Sequence, residues 1–144
     1  MVGRPWVSWW VDVPLKINLK PHEKVFIGGA VVQNGDSNID LTILNDVPLL
    51  REKDILTEAE ADTVCRRIYL CVQLMYMDRA NLAAYQGNYV KLAQEVLDAA
   101  PSTARFLADI NNDLACGRYY QALKSARKLV DYEQELIQNV SQSA

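Results

Sequence analysis

The chain has 144 residues, half of them hydrophobic and 23% charged, with a formal net charge of -3. That composition suits one ordinary globular domain or two small lobes, and it contains no apolar run of the ~20 residues that a membrane-spanning helix needs. The chain is not a polycation, so any nucleic-acid binding has to come from a local patch working against the global field.

Residues 1–12 hold all three tryptophans (Trp6, Trp9 and Trp10) and one basic residue, Arg4. They lack the basic start and small-residue cleavage site of a signal peptide. The expectation is a short disordered extension; a natural start near Val13 would account for it, because the ordered pattern begins there. From Leu15 to Lys20 apolar and polar residues alternate, which predicts a half-buried strand. Pro21-His22-Glu23 predicts a turn and Lys24–Ile27 a second strand. Gly28-Gly29 breaks that strand with residues free to take positive φ. Ala30–Gln33 forms a third strand, and Asn34-Gly35-Asp36 carries a strong hairpin signal toward a fourth at Ile39–Leu44. After Asn45-Asp46, Val47–Leu50 closes the series. Five short strands imply a small antiparallel sheet or sandwich, too small to stand without another element or another subunit.

The pattern changes at Thr57. Thr57-Glu58-Ala59-Glu60 has the form of a capping box, and Ala61, Val64, Cys65, Ile68, Cys71, Val72, Met75 and Tyr76 recur at helical spacing beyond it. A second helix is expected over Asn81–Ala100. A third runs from Pro101 to Cys116 and ends at Gly117, and a fourth covers Arg118–Gln138. Residues 141–144 are expected to fray. The chain therefore divides into an extension (1–12), a β-rich part (13–56), a helical part (57–140) and a tail. The fold class is α+β.

Catalytic chemistry does not converge. A nucleophile needs a base beside it, and the only histidine, His22, sits in a turn. Gly28-Gly29 is not a phosphate loop. Cys65, Cys71 and Cys116 form no C-x-x-C pair and are read as small buried hydrophobes of a reducing compartment, the cytoplasm. The expectation from the residues is a protein that is not an enzyme, with no catalytic residue, no cofactor and no metal. The informative segment is Arg51-Glu52-Lys53-Asp54. It reads either as a solvated connector whose charges offset one another or as a sheet edge where Arg51 and Lys53 face phosphates. Lys16, Asn18 and Lys20 share one strand face, and Lys24 follows on the next strand, so a basic strip is available there. Arg66-Arg67 is expected to pair with Glu58, Glu60 or Asp62. The seven tyrosines all lie in the helical half and are expected mostly in core or partner contacts.

Several separated blocks carry a family resemblance. They are Pro14–Lys24, Gly29–Gly35, Leu50–Ile55, Arg66–Tyr69, Met75–Asp78, Gly117–Leu123 and Arg127–Glu133. In this order they resemble the FlbT family from about Val13 to Ile137. One departure is His22, where the family usually has Gly. The resemblance implies a post-transcriptional repressor acting at the 5′ untranslated region of flagellin messenger RNA and promoting its degradation, in flagellum biogenesis. It also implies a companion protein, FlaF, in the same circuit. A shorter likeness, through the turn at Glu23, Ile27-Gly28 and Leu50-Arg51-Glu52, resembles the CsrA-type RNA regulators, which are five-stranded and dimeric. It implies RNA contact at Arg51, with Lys16 and Lys53 beside it. The resulting expectation is RNA binding by Lys16, Lys20, Arg51 and Lys53, with the helical part binding a protein. The alternative is a flagellar adaptor or chaperone that binds flagellin or FlaF and affects the RNA indirectly. Open sheet edges would suit a homodimer.

Overall fold

The strands form close to where the alternation predicts them, with the last shifted from Val47–Leu50 to Leu49–Arg51. A computed structural model describes residues 14–143, so the expectations for residues 1–12 and for Ala144 lie outside the described residues. Five strands form: β1 (Leu15–Leu19), β2 (Lys24–Ile27), β3 (Ala30–Gln33), β4 (Ile39–Ile43) and β5 (Leu49–Arg51). They make two small antiparallel sheets, β1-β4 and β3-β2-β5. The tight primed turn falls at Gly28-Gly29, where both glycines have positive φ (55° and 102°) between the paired residues Ile27 and Ala30. The hairpin expected at Asn34-Gly35 does not form. Gly35 is not among the residues with positive φ, and β4 crosses to β1 with Asn18 opposite Asp40 and Lys16 opposite Thr42.

The reason is Asn34. Its side chain is buried and its Nδ2 donates to the carbonyls of Leu19 (3.2 Å), Lys20 (2.8 Å) and Ser37 (2.8 Å), while Oδ1 accepts from the Gly35 amide at 2.7 Å. The asparagine therefore ties its own loop to the end of β1 and steers the chain away from β3. The core beneath is small. Leu19, Val25, Phe26 and Leu50 are its buried apolar side chains, and burying each contributes about 1.5–3 kcal/mol.

The chain divides into two compact units between Ile55 and Leu56. The second is helical: α1 (Val64–Met77), α2 (Leu82–Ala99), α3 (Ala104–Ala115) and α4 (Tyr119–Ser143). The Thr57 capping box is present, with the Glu60 carboxylate accepting from the Thr57 amide at 3.0 Å, but it caps only a single 3₁₀ turn over Glu58–Glu60. Ala61 then leaves helical geometry, and Thr63 caps α1 by accepting from the Arg66 amide at 3.1 Å. Two caps in succession explain why the first helix starts later than its apolar spacing suggests. Likewise Pro101–Thr103 is a 3₁₀ turn ahead of α3. Gly117 ends α3 at φ 71°, and α4 runs on to Ser143, past the expected Gln138 and into the segment expected to fray.

α1 is the central helix, packed by both α2 and α4, while α3 packs on α4. Ile68, Val72 and Met75 are fully buried, and Gln73 is buried with them. Gln73 is satisfied because its amide exchanges two bonds with the backbone of Leu56, at 2.8 and 3.0 Å.

Candidate nucleic-acid interface

Position along the β unit decides which of its cations can meet a ligand. Arg51 lies at the end of β5 opposite Val25. Its guanidinium is not free. It holds the Glu23 carboxylate through Nε (3.2 Å) and Nη2 (2.9 Å), and Nη2 also donates to the Asn18 carbonyl. Arg51 thus ties the β3-β2-β5 sheet to β1. The Arg51 guanidinium, and then the Lys20 amide that donates to Glu23 at 2.9 Å, hold the Glu23 carboxyl below the usual carboxylate range. Glu52 is also turned inward, accepting from the Lys24 amide at 2.8 Å.

The lysines differ. Lys16, Lys20, Lys24 and Lys53 are exposed, and among the described residues none has a carboxylate within ion-pair distance. Lys20, Lys24 and Lys53 gather around the Glu23–Arg51–Glu52 anchor, because Lys20 and Lys24 give their amides to Glu23 and Glu52 and Lys53 follows Glu52. Lys16 stands further along β1, opposite Thr42. Asn18 shares its face but is bonded to Asp40 at 2.8 Å, so the strip along β1 is interrupted by a carboxylate. Residues 14–55 carry five basic and six acidic side chains, so attraction to a polyanion at this unit depends on the lysines' position and not on net charge.

In the helical unit Arg66 pairs with Asp62 at 2.6 Å, one of the expected partners. Cys65 and Cys71 are buried, and burial, with the Glu133 carboxylate adding to it, pushes the Cys65 thiol up to about 12. Cys116 corrects the reading of three buried cysteines. It caps α3 and is exposed. Among the described residues no group of three or more His, Cys, Asp or Glu could hold a metal ion, and no helix is long and apolar enough to cross a membrane. α2 and α3 flank a groove of about 310 Å³ lined mainly by apolar side chains, including Val90, Leu97 and Leu107.

Residues 15–137 match the model of the family described as flagellar protein FlbT. The chain belongs to this family. It is 41% identical over 125 residues to a probable flagellum biosynthesis repressor protein FlbT of Rhodopseudomonas palustris strain TIE-1, covering 87% of this chain and 98% of the relative. It is 42% identical over 123 residues to a protein of Bradyrhizobium diazoefficiens named probable flagellum biosynthesis repressor protein FlbT 1, covering 85% and 84%. With the flagellum biosynthesis repressor protein FlbT of Caulobacter vibrioides strain ATCC 19089 it shares 36% over 131 residues, covering 90% and 93%. No solved structure matches.

Within this FlbT chain, sequence reading missed the residues that build the β end. Glu23 and Asn34 were read only as turn residues, yet they hold the backbone around which Lys20, Lys24 and Lys53 are displayed. One signal was available: a carboxylate and an amide in turns, with an arginine some thirty residues later on an apolar strand, needs an internal partner for that arginine. His22 is the one described non-glycine residue at positive φ, 62°.

Proposed function

We propose that this chain represses flagellin synthesis by binding the 5′ untranslated region of flagellin messenger RNA and promoting its degradation. The observation that carries the reading is membership of the FlbT family along nearly the whole chain, with relatives named flagellum biosynthesis repressors. The four exposed, carboxylate-free lysines of the β unit support it. In this reading Lys16, Lys20 and Lys53 contact phosphates. Arg51 organises that surface by holding Glu23 and Asn18, and it contacts RNA only if it exchanges those partners.

The test is titration of the purified full chain with flagellin leader RNA across salt concentrations. Replacing Lys16, Lys20 and Lys53 by glutamine should flatten the log–log salt slope by about 2, at about 0.7 per single-strand phosphate contact. No binding by the chain alone at low salt would overturn direct recognition.

The apolar α2–α3 groove favours a second reading, an adaptor that binds flagellin or FlaF through the helical unit and reaches the RNA indirectly. Binding of RNA only after flagellin or FlaF is added would select it.

A further inference from the structure

The C-terminal end of α1 and the start of α4 carry a cluster that the β-unit reading does not use. Tyr76 packs against Tyr120 with ring centroids 5.6 Å apart. The Arg79 guanidinium lies 4.4 Å from the Tyr119 ring centroid, and the Lys124 ammonium lies 4.9 Å from that of Tyr120. Lys128 follows Lys124 by one helical turn and is exposed. Tyr120 is 40% exposed, whereas Tyr69 and Tyr89 are buried.

The charges in this cluster are not balanced. Among the described residues Arg79, Lys124 and Lys128 have no carboxylate within ion-pair distance. Of the neighbouring carboxylates, Asp78 and Asp113 are engaged elsewhere, and Asp131, three residues beyond Lys128, is not within ion-pair distance of it. Asp78 accepts from Asn81 and Tyr85, and Asp113 accepts from Arg118 and Ser125. A tyrosine–cation cluster built only to close the bundle would bury its rings or match its cations. Here Arg79 lies over Tyr119, Lys124 over the part-exposed Tyr120 and Lys128 one turn further along α4, none with a carboxylate within ion-pair distance among the described residues.

Cations set between aromatic faces complement an anionic chain that itself carries planar faces. An acidic peptide would satisfy the charges but make no use of the exposed part of the Tyr120 ring. A single-stranded nucleic acid uses both, because each base stacks and each phosphate takes a cation. Lys124 covers the ring in the free protein, and its flexible four-carbon stem lets it yield that face to a base and take the adjoining phosphate.

We propose that Arg79, Tyr120, Lys124 and Lys128 form a binding site for single-stranded RNA on the helical unit, separate from the lysines of the β unit. The proposal rests on the RNA-binding reading above and adds a second point of contact with a stacking component.

The test uses the full chain and a short fluorescein-labelled oligouridine, read by anisotropy across salt, with far-UV circular dichroism confirming that each variant folds. The double variant Arg79→Gln/Lys124→Gln should flatten the salt slope by about 1.4, for two lost single-strand phosphate contacts. Tyr120→Ala should weaken binding about fivefold or more, while Tyr120→Phe, which keeps the ring, should bind as the unaltered chain does. The proposal is overturned if the unaltered chain binds but both helical variants bind equally well. It is also overturned if polyglutamate displaces the RNA as efficiently as unlabelled oligouridine, since charge alone would then explain the site. Weakening by the β-unit lysine variants alone would refute this site and leave the function standing. A chain that binds no single-stranded RNA at any salt concentration would refute both.

Discussion

Asn34→Asp tests the β unit at the point where its two sheets are joined. The substitution keeps the shape of the side chain and removes both of its N–H donors. In the native chain those donors lie among three carbonyl oxygens, of Leu19, Lys20 and Ser37, in a buried position. Two hydrogens serve three acceptors, so the loss is two net bonds of about 0.5–1.5 kcal/mol each, plus about 1–3 kcal/mol for carbonyls left unpaired and facing a carboxylate. A total of about 2–6 kcal/mol equals or exceeds the contribution of one of the four core side chains, in a unit that has few to lose. Hydrogen exchange read by mass spectrometry on peptides spanning residues 19–37 reports the opening directly. These contain the His22 amide, bonded to Gly35, and the Asn34 amide, bonded to Glu23. Exchange there should accelerate about 30-fold or more at neutral pH, up to the order of 20,000-fold, while peptides from α1 and α4 should keep their rates. Acceleration of less than about threefold, which is under 1 kcal/mol, would refute the assignment of Asn34 as the joint.

Arg51→Ala should remove a pH dependence as well as stability. The folded Glu23 carboxyl lies below its ordinary value of 4.5 mainly because of Arg51. Its contribution is therefore complete above that value and is lost as pH falls through the lower folded one. The difference between variant and unaltered chain, read by exchange in residues 19–27, should shrink below pH 4.5; a constant difference down to acid unfolding would contradict the ion pair. Thiol labelling with a disulfide reagent at pH 8 should modify Cys116 quickly and leave Cys65 and Cys71 unreacted until denaturant is added, because Cys65 is buried with its thiol raised to about 12 and Cys71 is buried too. Rapid reaction of two or three thiols would contradict this packing. His22→Gly should stabilise the β unit by about 0.5–1 kcal/mol, since it relieves left-handed strain at φ 62° and gives up only an exposed contact to Asp36. A loss of stability would show that the contact to Asp36 outweighs the strain.

Local patterns fixed much of this protein in advance. Alternation from Leu15 to Lys20 and between Ile39 and Leu44 placed strands, and the apolar spacing after Val64 placed the buried helix. Gly117 marked a helix end through the need for positive φ. Four of the lysines proved exposed because nothing in a small sheet can bury an unpaired ammonium. What local patterns could not decide was which distant groups meet. Asn34-Gly35 has the composition of a hairpin, but the side chain of Asn34 found two carbonyls, of Leu19 and Lys20, far from its own turn. Arg51 has the composition of a ligand-binding edge, and Glu23, twenty-eight residues away, took its guanidinium. The tyrosines have helical spacing, and only the meeting of the end of α1 with the start of α4 left Tyr120 exposed among unmatched cations. Backbone periodicity depends on near neighbours and is written in the sequence. The partners of polar side chains depend on which segments the core brings together, and only the tertiary structure decides that.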